Sequence, residues 1–344
     1  MAKARYLVTG GAGFIGSNLV AALASAGERV RILDNVSTGS WEHLDGIPEQ
    51  SLIERIEGDI RDADAVARAV AGVEVVFHEA ALGSVPRSVE TPVESDAVNV
   101  GGTVTVLDVA RRSGVRRLVF AASSSAYGET PELPKREDMA ALPLSPYAVT
   151  KLACEKYLEV FAALYGLETL NLRYFNVFGP NQTPNGAYAA AIPRFVSWAL
   201  AGEPIQIYGD GEQTRDFCYV DNCVRANLLA AASPKRLTGQ VVNVAGGRRI
   251  ALNDLCREIE RVLGRPVDVR HVAERPGDIR HSLADISRAG ELLGYEPRVR
   301  WEDGIEPTVR YLRTLRTEGR VAAASTIVPG KAELSSSVFG RGAA

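Results

Sequence analysis

Cysteine and histidine are scarce in this sequence, with four of each in 344 residues. No C-x-x-C pair, H-E-x-x-H motif or Cys/His cluster occurs, which argues against a disulfide framework and a zinc site. The sequence therefore predicts reduced thiols, a cytoplasmic location and no metal. The residues are Cys154, Cys218, Cys223 and Cys256, and His43, His78, His271 and His281.

An excess of positive charge is also missing. The formal net charge at pH 7 is −3, whereas nucleic-acid binding requires a basic surface. Nucleic acid is therefore not an expected partner, although a few local cations suffice for a small phosphorylated ligand. With 46% hydrophobic and 24% charged residues, the composition is that of a globular protein.

No uninterrupted apolar segment is long enough to cross a bilayer. The N-terminus comes nearest, because Lys3 and Arg5 precede an uncharged run from Tyr6 to Gly27, as in a signal peptide. Four glycines and Asn18 interrupt this run. A strand, a tight turn and a helix explain these positions better, so we expect neither a targeting segment nor a membrane partner.

Apolar β-type runs alternate with helical patterns through the first 180 residues. This alternation predicts an α/β fold with a Rossmann-type, doubly wound parallel sheet and right-handed crossovers. The predicted strands are Tyr6–Thr9, Arg29–Leu33, Val73–His78, Arg117–Ala121 and Glu168–Leu172. The predicted helices are Phe14–Gly27, Val93–Arg112 and Pro146–Gly166.

The pattern changes after Pro180. Helices at Ile192–Ala201, Val220–Ala232 and Leu252–Leu263 lie between short strands and Pro/Gly turns, which favours a smaller mixed α/β domain. We therefore expect a dinucleotide-binding domain over residues 1–180 and a substrate-binding domain mainly over 181–316. Small residues without a sustained period predict a disordered tail over 317–344.

A glycine-rich turn follows the first strand and opens the first helix. Residues 10–16 read G-G-A-G-F-I-G, which lets the backbone approach a pyrophosphate at a helix N-terminus. Asp34 ends the second strand, where a carboxylate binds the adenosine ribose hydroxyls and repels a 2′-phosphate. The sequence therefore predicts NAD rather than NADP. The alternative is a set of structural glycines with a solvated aspartate, and Gly58–Ile60 either holds the adenine edge or forms a plain turn.

Tyr147 and Lys151 lie one helical turn apart, so they share a face. A tyrosine with a pKa of about 10 is a poor base, but an adjacent ammonium and the positive nicotinamide of NAD⁺ favour its phenolate. This phenolate can remove a hydroxyl proton while hydride leaves the same carbon. The alternative is an amphipathic helix with a surface lysine.

Ser123, Ser124 and Ser125 follow a predicted strand. Ligands bind at the carboxyl ends of strands in open α/β sheets, so a hydroxyl there can donate to a substrate oxygen or relay its proton. The alternative is a plain exit from strand to loop.

Several motifs together resemble the extended short-chain dehydrogenase/reductase superfamily. They are T-G-G-A-G-F-I-G at 9–16, H-E-A-A at 78–81, the stretch 123–128, Tyr147-x-x-x-Lys151 and R-Y-F-N at 173–176. Over residues 4–315 the chain is similar to nucleotide-sugar 4-epimerases. The likeness is greatest to the UDP-N-acetylglucosamine 4-epimerase branch, in the stretches 81–88, 181–193, 208–216 and 275–285.

The resemblance implies a role for each matching residue. Tyr147 would be the base, Lys151 its activator and an NAD-ribose ligand, and Ser123 the hydroxyl partner, although Ser124 also fits the register. The implied NAD site comprises Gly10, Gly13, Phe14, Ile15, Gly16, Asp34, Asn35, Ser37, Gly39, Asp59, Ile60, Ala80, Ala81, Asn99, Tyr174 and Phe175, together with Tyr147 and Lys151. The implied UDP-sugar site comprises Ser84, Ser123, Ser124, Ser125, Tyr147, Asn176, Ala190, Tyr208, Arg215, Arg275, Asp278 and Ser282.

Within this implied substrate site, Arg215 and Arg275 would clamp the diphosphate, a task that suits the guanidinium fork. Taken alone, each arginine is equally explained as a surface cation. Asp278 would bind the uridine ribose and Tyr208 would pack on uracil. Asn176 would touch the sugar or the diphosphate.

Ser282 carries an implication about the sugar. In the resembling family this position faces the C2 substituent, and a bulky aromatic there limits the substrate to UDP-glucose and UDP-galactose. A serine leaves room for an N-acetyl group, so acceptance of UDP-N-acetylglucosamine and UDP-N-acetylgalactosamine is implied. The alternative is an ordinary loop serine.

The resemblance thus implies an isomerase: reversible C4 epimerisation of these UDP-N-acetylhexosamines, and of UDP-glucose and UDP-galactose, through a 4-keto intermediate with tightly bound NAD. It also implies a homodimer formed through the predicted helices Val93–Arg112 and Pro146–Gly166. UDP-glucuronate 4-epimerase is a close alternative. A 4,6-dehydratase or decarboxylase is disfavoured because no Asp-Glu pair follows Ser123, and a non-catalytic NAD sensor would not need Tyr147, Lys151 and Ser123 together.

Overall fold

The computed structural model describes residues 4–184, 190–274 and 280–320. Arg275, Asp278 and nearly all of the predicted tail lie outside these ranges. The strands are β1 (Tyr6–Thr9), β2 (Val30–Asp34), β3 (Ile53–Glu57), β4 (Val75–His78), β5 (Arg117–Ser123), β6 (Glu168–Tyr174), β7 (Val177–Phe178), β8 (Ile205–Tyr208), β9 (Thr214–Arg215), β10 (Cys218–Tyr219), β11 (Thr238–Val244), β12 (Ile250–Ala251) and β13 (Val269–Val272). The helices are α1 (Phe14–Ser25), α2 (Ala63–Val70), α3 (Val85–Glu90), α4 (Pro92–Asp96), α5 (Gly102–Arg112), α6 (Pro146–Tyr165), α7 (Ala191–Ala201), α8 (Val220–Ala232), α9 (Leu252–Leu263), α10 (Ser287–Leu293) and α11 (Trp301–Thr317).

Seven parallel strands form the central sheet in the order β11-β6-β5-β4-β1-β2-β3. This confirms the predicted doubly wound parallel sheet. The chain reverses its direction of winding between β1 and β4, and the carboxyl edge at such a switch point is where ligands bind in open α/β sheets.

Helices cover both faces of the sheet, because successive strand residues point to opposite sides. Val8 packs in a cluster with Leu19 of α1 and Val224 of α8. The next residue towards the N-terminus, Leu7, packs with Leu107 of α5 and Leu158 of α6 on the other face. Buried on both faces, the central strands are almost continuously apolar, as is typical of parallel sheets.

The structure differs from the prediction in two places. The predicted helix Val93–Arg112 is divided, since a π-helical turn at Ala97–Gly101 separates α4 from α5. The seventh strand, β11, pairs with β6 although it lies within the segment expected to form the second domain. The sheet therefore extends beyond the segment 1–180.

A third apolar cluster lies in the C-terminal part of the chain. It brings together Phe195 of α7, Leu255 of α9 and Ile305 of α11. Three short strand pairs, β7–β10, β8–β13 and β9–β12, contribute to this cluster through Phe178, Ile205 and Ile250. Across the described ranges, no helix combines the length and apolarity needed to cross a membrane.

Candidate active site at the carboxyl edge of the sheet

The glycine turn lies between β1 and α1, as predicted. Gly10 has φ +70°, and a Cβ there would lie 2.7 Å from the backbone of Ala80. A Cβ at Gly16 would overlap the carbonyl of Gly10. Among the described residues no side chain caps α1, and its first turn carries no acidic group. The turn therefore offers bare backbone N–H groups at a helix N-terminus, which fits the pyrophosphate of a dinucleotide.

Asp34 closes one side of this turn. Its two carboxylate oxygens accept hydrogen bonds from the backbone N–H groups of Ala12, at 2.9 Å, and Val36, at 2.8 Å. Burial raises the pKa of Asp34, and these bonds partly oppose the shift. Gly39 packs against the same turn, because a Cβ there would lie 2.5 Å from the Ala12 carbonyl oxygen.

The residues predicted to flank the adenine form a polar pair beside Asp34. The Asn35 amide donates to Asp59 at 3.2 Å, and Ser37 N–H donates to the Asn35 side chain at 3.2 Å. Arg61 lowers the pKa of Asp59 to about 2 through a bidentate contact. Ile60 packs instead on Gly102 of α5.

Asn99, predicted to line the NAD site, uses its side-chain amide for hydrogen bonds to other residues of the protein. It lies in the π-helical turn, where it accepts from Leu82 N–H at 2.8 Å and donates to Thr150 of α6 at 3.1 Å. The Thr150 hydroxyl in turn donates to the Tyr147 carbonyl at 2.8 Å. Asn99 therefore ties the segment after Ala80 and Ala81 to the helix that carries the tyrosine.

The Tyr147/Lys151 pair lies in the first turn and a half of α6. Ser145 caps this helix, Pro146 occupies its first position, and the Tyr147 N–H donates to Ser88 of α3 at 3.0 Å. Lys151 is buried, and its ammonium donates to the Ala121 carbonyl of β5 at 2.7 Å. The ammonium also lies 6.0 Å from the centre of the Tyr147 ring, which brings the two side chains close together on one helix face.

The serine run lies beside this pair, at the end of β5. Ser123 Oγ accepts from the N–H and the hydroxyl of Ser125, at 3.2 and 2.9 Å. These contacts leave the Ser123 proton available, whereas that of Ser125 is already donated. Ser84, also predicted in the substrate site, caps α3 through the Arg87 N–H.

Glu79 is a partly buried acid directly after β4, and the sequence analysis assigned it no role. Tyr174 donates its hydroxyl to Glu79 at 2.9 Å, and the Asn227 amide of α8 donates to Tyr174 at 2.7 Å. Burial raises the pKa of Glu79 to about 7. Tyr174, predicted to line the NAD site, therefore has its hydroxyl fixed between the side chains of Glu79 and Asn227. The H-E-A-A motif contained this signal, but no periodicity indicated the partner.

A cavity of about 440 Å³ adjoins the carboxyl edge and contains four predicted substrate residues. They are Asn176, Ala190, Tyr208 and Arg215, and Arg194, Phe195, Gln206 and Phe217 also line the wall. Asn176 has φ +32° where the chain leaves the sheet. The cavity combines aromatic and cationic groups, which suits a ligand with a planar base and a charged diphosphate.

Ser282 borders one wall of this cavity but is not among the residues that line it. Its backbone N–H donates to the Thr214 carbonyl at 3.1 Å, beside the wall residue Arg215. Asp216, to which the sequence assigned no role, bonds to the same segment through Ala284 N–H at 3.1 Å. Only the long-range contact reveals it.

Comparison with known proteins gives consistent matches. Residues 6–245 match the model of the family described as NAD dependent epimerase/dehydratase. A UDP-glucose 4-epimerase of Mycolicibacterium smegmatis is 41% identical over 311 residues, which cover 90% of this chain and 98% of that protein. A UDP-glucuronate 4-epimerase of Thermodesulfobacterium geofontis is 34% identical over 316 residues, 89% of this chain and 95% of that protein.

A solved structure agrees with these matches. It is a UDP-N-acetylglucosamine 4-epimerase from Methanobrevibacter ruminantium in complex with UDP-N-acetylmuramic acid, at 41% identity and a TM-score of 0.85. The match covers 91% of this chain and 99% of that one. Together the comparisons confirm the predicted family resemblance and the fold class. The family description confirms NAD as the cofactor.

Proposed function

Since the chain belongs to the NAD-dependent epimerase/dehydratase family, we propose that it is a UDP-sugar 4-epimerase acting on UDP-N-acetylglucosamine and UDP-N-acetylgalactosamine, and on UDP-glucose and UDP-galactose. One juxtaposition carries this proposal. The ammonium of the buried Lys151 lies 6.0 Å from the ring centre of Tyr147, at the same sheet edge that meets the cavity with Asn176, Tyr208 and Arg215. In this proposal residues 1–180 bind the dinucleotide, and the nucleotide sugar binds mainly to residues 181–316.

The residues of the chain supply the acid–base chemistry. The glycine turn and Asp34 would hold NAD⁺, which would supply the hydride-transfer chemistry at C4 of the sugar. Tyr147 takes the proton of the 4-hydroxyl as the 4-keto sugar forms, and gives it back as the hydroxyl reforms. Lys151 stabilises the phenolate, since its ammonium is fixed on the Ala121 carbonyl. Ser123 donates a hydrogen bond to the sugar oxygen and keeps its proton, and no net redox change occurs.

The choice of sugar depends on Ser282 in this proposal. A small side chain there leaves space beside the C2 substituent, which favours the N-acetylated sugars. The relatives act on different sugars, because one is a UDP-glucose and another a UDP-glucuronate 4-epimerase. UDP-glucuronate is therefore the second candidate substrate.

The first experiment is NMR of the purified protein with UDP-N-acetylglucosamine, UDP-glucose or UDP-glucuronate, without added cofactor. We expect the 4-epimer of the N-acetylated sugar and of glucose. Ser282→Tyr should reduce turnover of UDP-N-acetylglucosamine at least roughly tenfold more than that of UDP-glucose, a difference typical of steric exclusion. Equal losses on both sugars would remove Ser282 as the selector. Conversion of UDP-glucuronate alone would establish the second candidate.

We further propose that the protein is a homodimer. Exposed apolar side chains of α6 form one stripe with Val93 of α4, which is 82% exposed. The α6 members are Val149, Tyr157, Val160 and Leu164. Apolar residues at this spacing share one helix face, and a second copy of the chain would bury them.

A further inference from the structure

The wall of the cavity formed by residues 213–217 has two faces. Gln213, Arg215 and Phe217 line the cavity. Thr214 and Asp216 alternate with them and therefore point away, as in any extended segment. Asp216 is fully buried.

Asp216 joins three separate segments behind the wall. One carboxylate oxygen accepts from the N–H groups of Gly246 and Gly247, both at 3.0 Å, just after β11 of the main sheet. The other accepts from Ala284 N–H at 3.1 Å, two residues beyond Ser282. The Asp216 carbonyl accepts from the amide of Asn176, which also lines the cavity, at 3.2 Å.

The carboxylate has no cation to balance it within the described ranges. Arg248, the nearest arginine along the chain from Gly247, directs its guanidinium to Glu302. The titratable group facing Asp216 is Tyr295, whose hydroxyl donates to the Ala245 carbonyl at 2.8 Å. Burial raises the pKa of Asp216 to about 6, against the effect of the backbone donors. The group is thus ionised at pH 7.5 and neutral in mild acid.

We propose that Asp216 is a positioning residue for the substrate: its ionised carboxylate locks the wall that carries Arg215 to the sheet edge and to the Ser282 segment, so that nucleotide-sugar affinity depends on it. This inference rests on the proposed function for the class of ligand. A carboxylate accepts all of these N–H groups, whereas a neutral acid or an amide presents a donor towards at least one of them.

The test compares Asp216→Asn with Asp210→Asn. Asp210 pairs with Arg280 on the same segment but is half exposed, so its loss removes only a surface ion pair. We expect Asp216→Asn to raise the Kd for UDP-N-acetylglucosamine, measured by calorimetry at pH 7.5, by roughly 10- to 100-fold, as for loss of a buried charged hydrogen bond. Asp210→Asn should remain within about twofold of wild type.

A purely structural role would lower the active fraction instead. We therefore expect Asp216→Asn to raise KM while kcat and bound NAD change little. In wild type the Kd should rise as the pH falls from 7.5 to 5, and the variant should show a flat profile at its weaker affinity. Unchanged Kd in Asp216→Asn, or an identical pH profile in both proteins, would overturn the inference. Binding without turnover of any UDP-sugar would instead contradict the proposed function alone.

Discussion

At the scale of single residues, the proposed chemistry depends on a lysine that the fold has already fixed. Lys151 is 3% exposed, and its ammonium bonds to the Ala121 carbonyl and lies 4.7 Å from the ring centre of Phe120. Desolvation of an ammonium is costly unless it is hydrogen-bonded, so this arrangement serves a purpose beyond packing. The hydrogen bond fixes the ammonium 6.0 Å from the ring centre of Tyr147.

Replacing Tyr147 by Phe tests this arrangement. We expect kcat to fall at least roughly 100-fold, because the base is lost while the ring keeps its packing. The NAD content and melting temperature should stay at wild-type values. Tyr157→Phe, on the same helix but 41% exposed, is the matched control and should retain full activity. A Tyr147→Phe enzyme at near wild-type rate would show that another group removes the proton.

The sequence predicts residues of this kind when their partners are near in the chain. Tyr147 and Lys151 are four positions apart, and the glycines span seven residues, so helix and turn geometry place them. Asn99 contacts Thr150, 51 residues away, and Asp216 contacts Ala284, 68 residues away. Their roles follow from tertiary contacts, which a single sequence does not encode locally.

At the scale of elements, periodicity predicted where helices and strands occur. It did not predict the interruption of a helix or the place of a strand in the sheet. The apolar spacing over Val93–Arg112 fits one helix. The π-helical turn at Ala97–Gly101 widens it and lets Asn99 reach both Leu82 and Thr150. Likewise β11 has the apolar character of a strand, but its place beside β6 depends on pairing across some 70 residues.

The glycine turn supports a prediction at this scale. Gly10→Ala should lose bound NAD and destabilise the protein by more than about 1 kcal/mol, since φ is +70° and the new Cβ meets the Ala80 backbone. Gly27→Ala is the control, because φ is +79° but no atom lies within 4 Å of its Cβ. It should cost about 1 kcal/mol and keep NAD.

Urea unfolding and assay of released NAD measure both effects. The difference between the two variants isolates the close approach of the backbone from the strain of the left-handed conformation. If Gly10→Ala retained NAD and matched Gly27→Ala in stability, the turn would not be the cofactor cradle that its geometry indicates.

At the scale of the whole molecule, the main sheet and the apolar cluster of the C-terminal part meet at one cleft. The main sheet supplies the glycine turn and the Tyr147/Lys151 pair, and the C-terminal cluster supports the cavity walls through Phe195 and Phe217. The chain passes between them at Asn176, whose strained backbone and bond to Asp216 couple the sheet edge to the cavity. The fold thereby places the Tyr147/Lys151 pair and the cavity of the C-terminal part at one cleft.

Helix α6 has one buried side and one side that is exposed to solvent. Lys151 and Leu158 face inward, whereas Val160 is 47% and Leu164 69% exposed. Val160→Glu places a charge in the middle of the proposed interface, where desolvating an unpaired carboxylate is unfavourable. We therefore expect light scattering after size-exclusion chromatography to give a dimer for wild type and a monomer for this variant. Val272→Glu, at a valine of β13 that is 37% exposed and far from α6 in the chain, should remain dimeric. A monomeric wild type, or a dimer that withstands Val160→Glu, would assign the apolar stripe to something other than self-association.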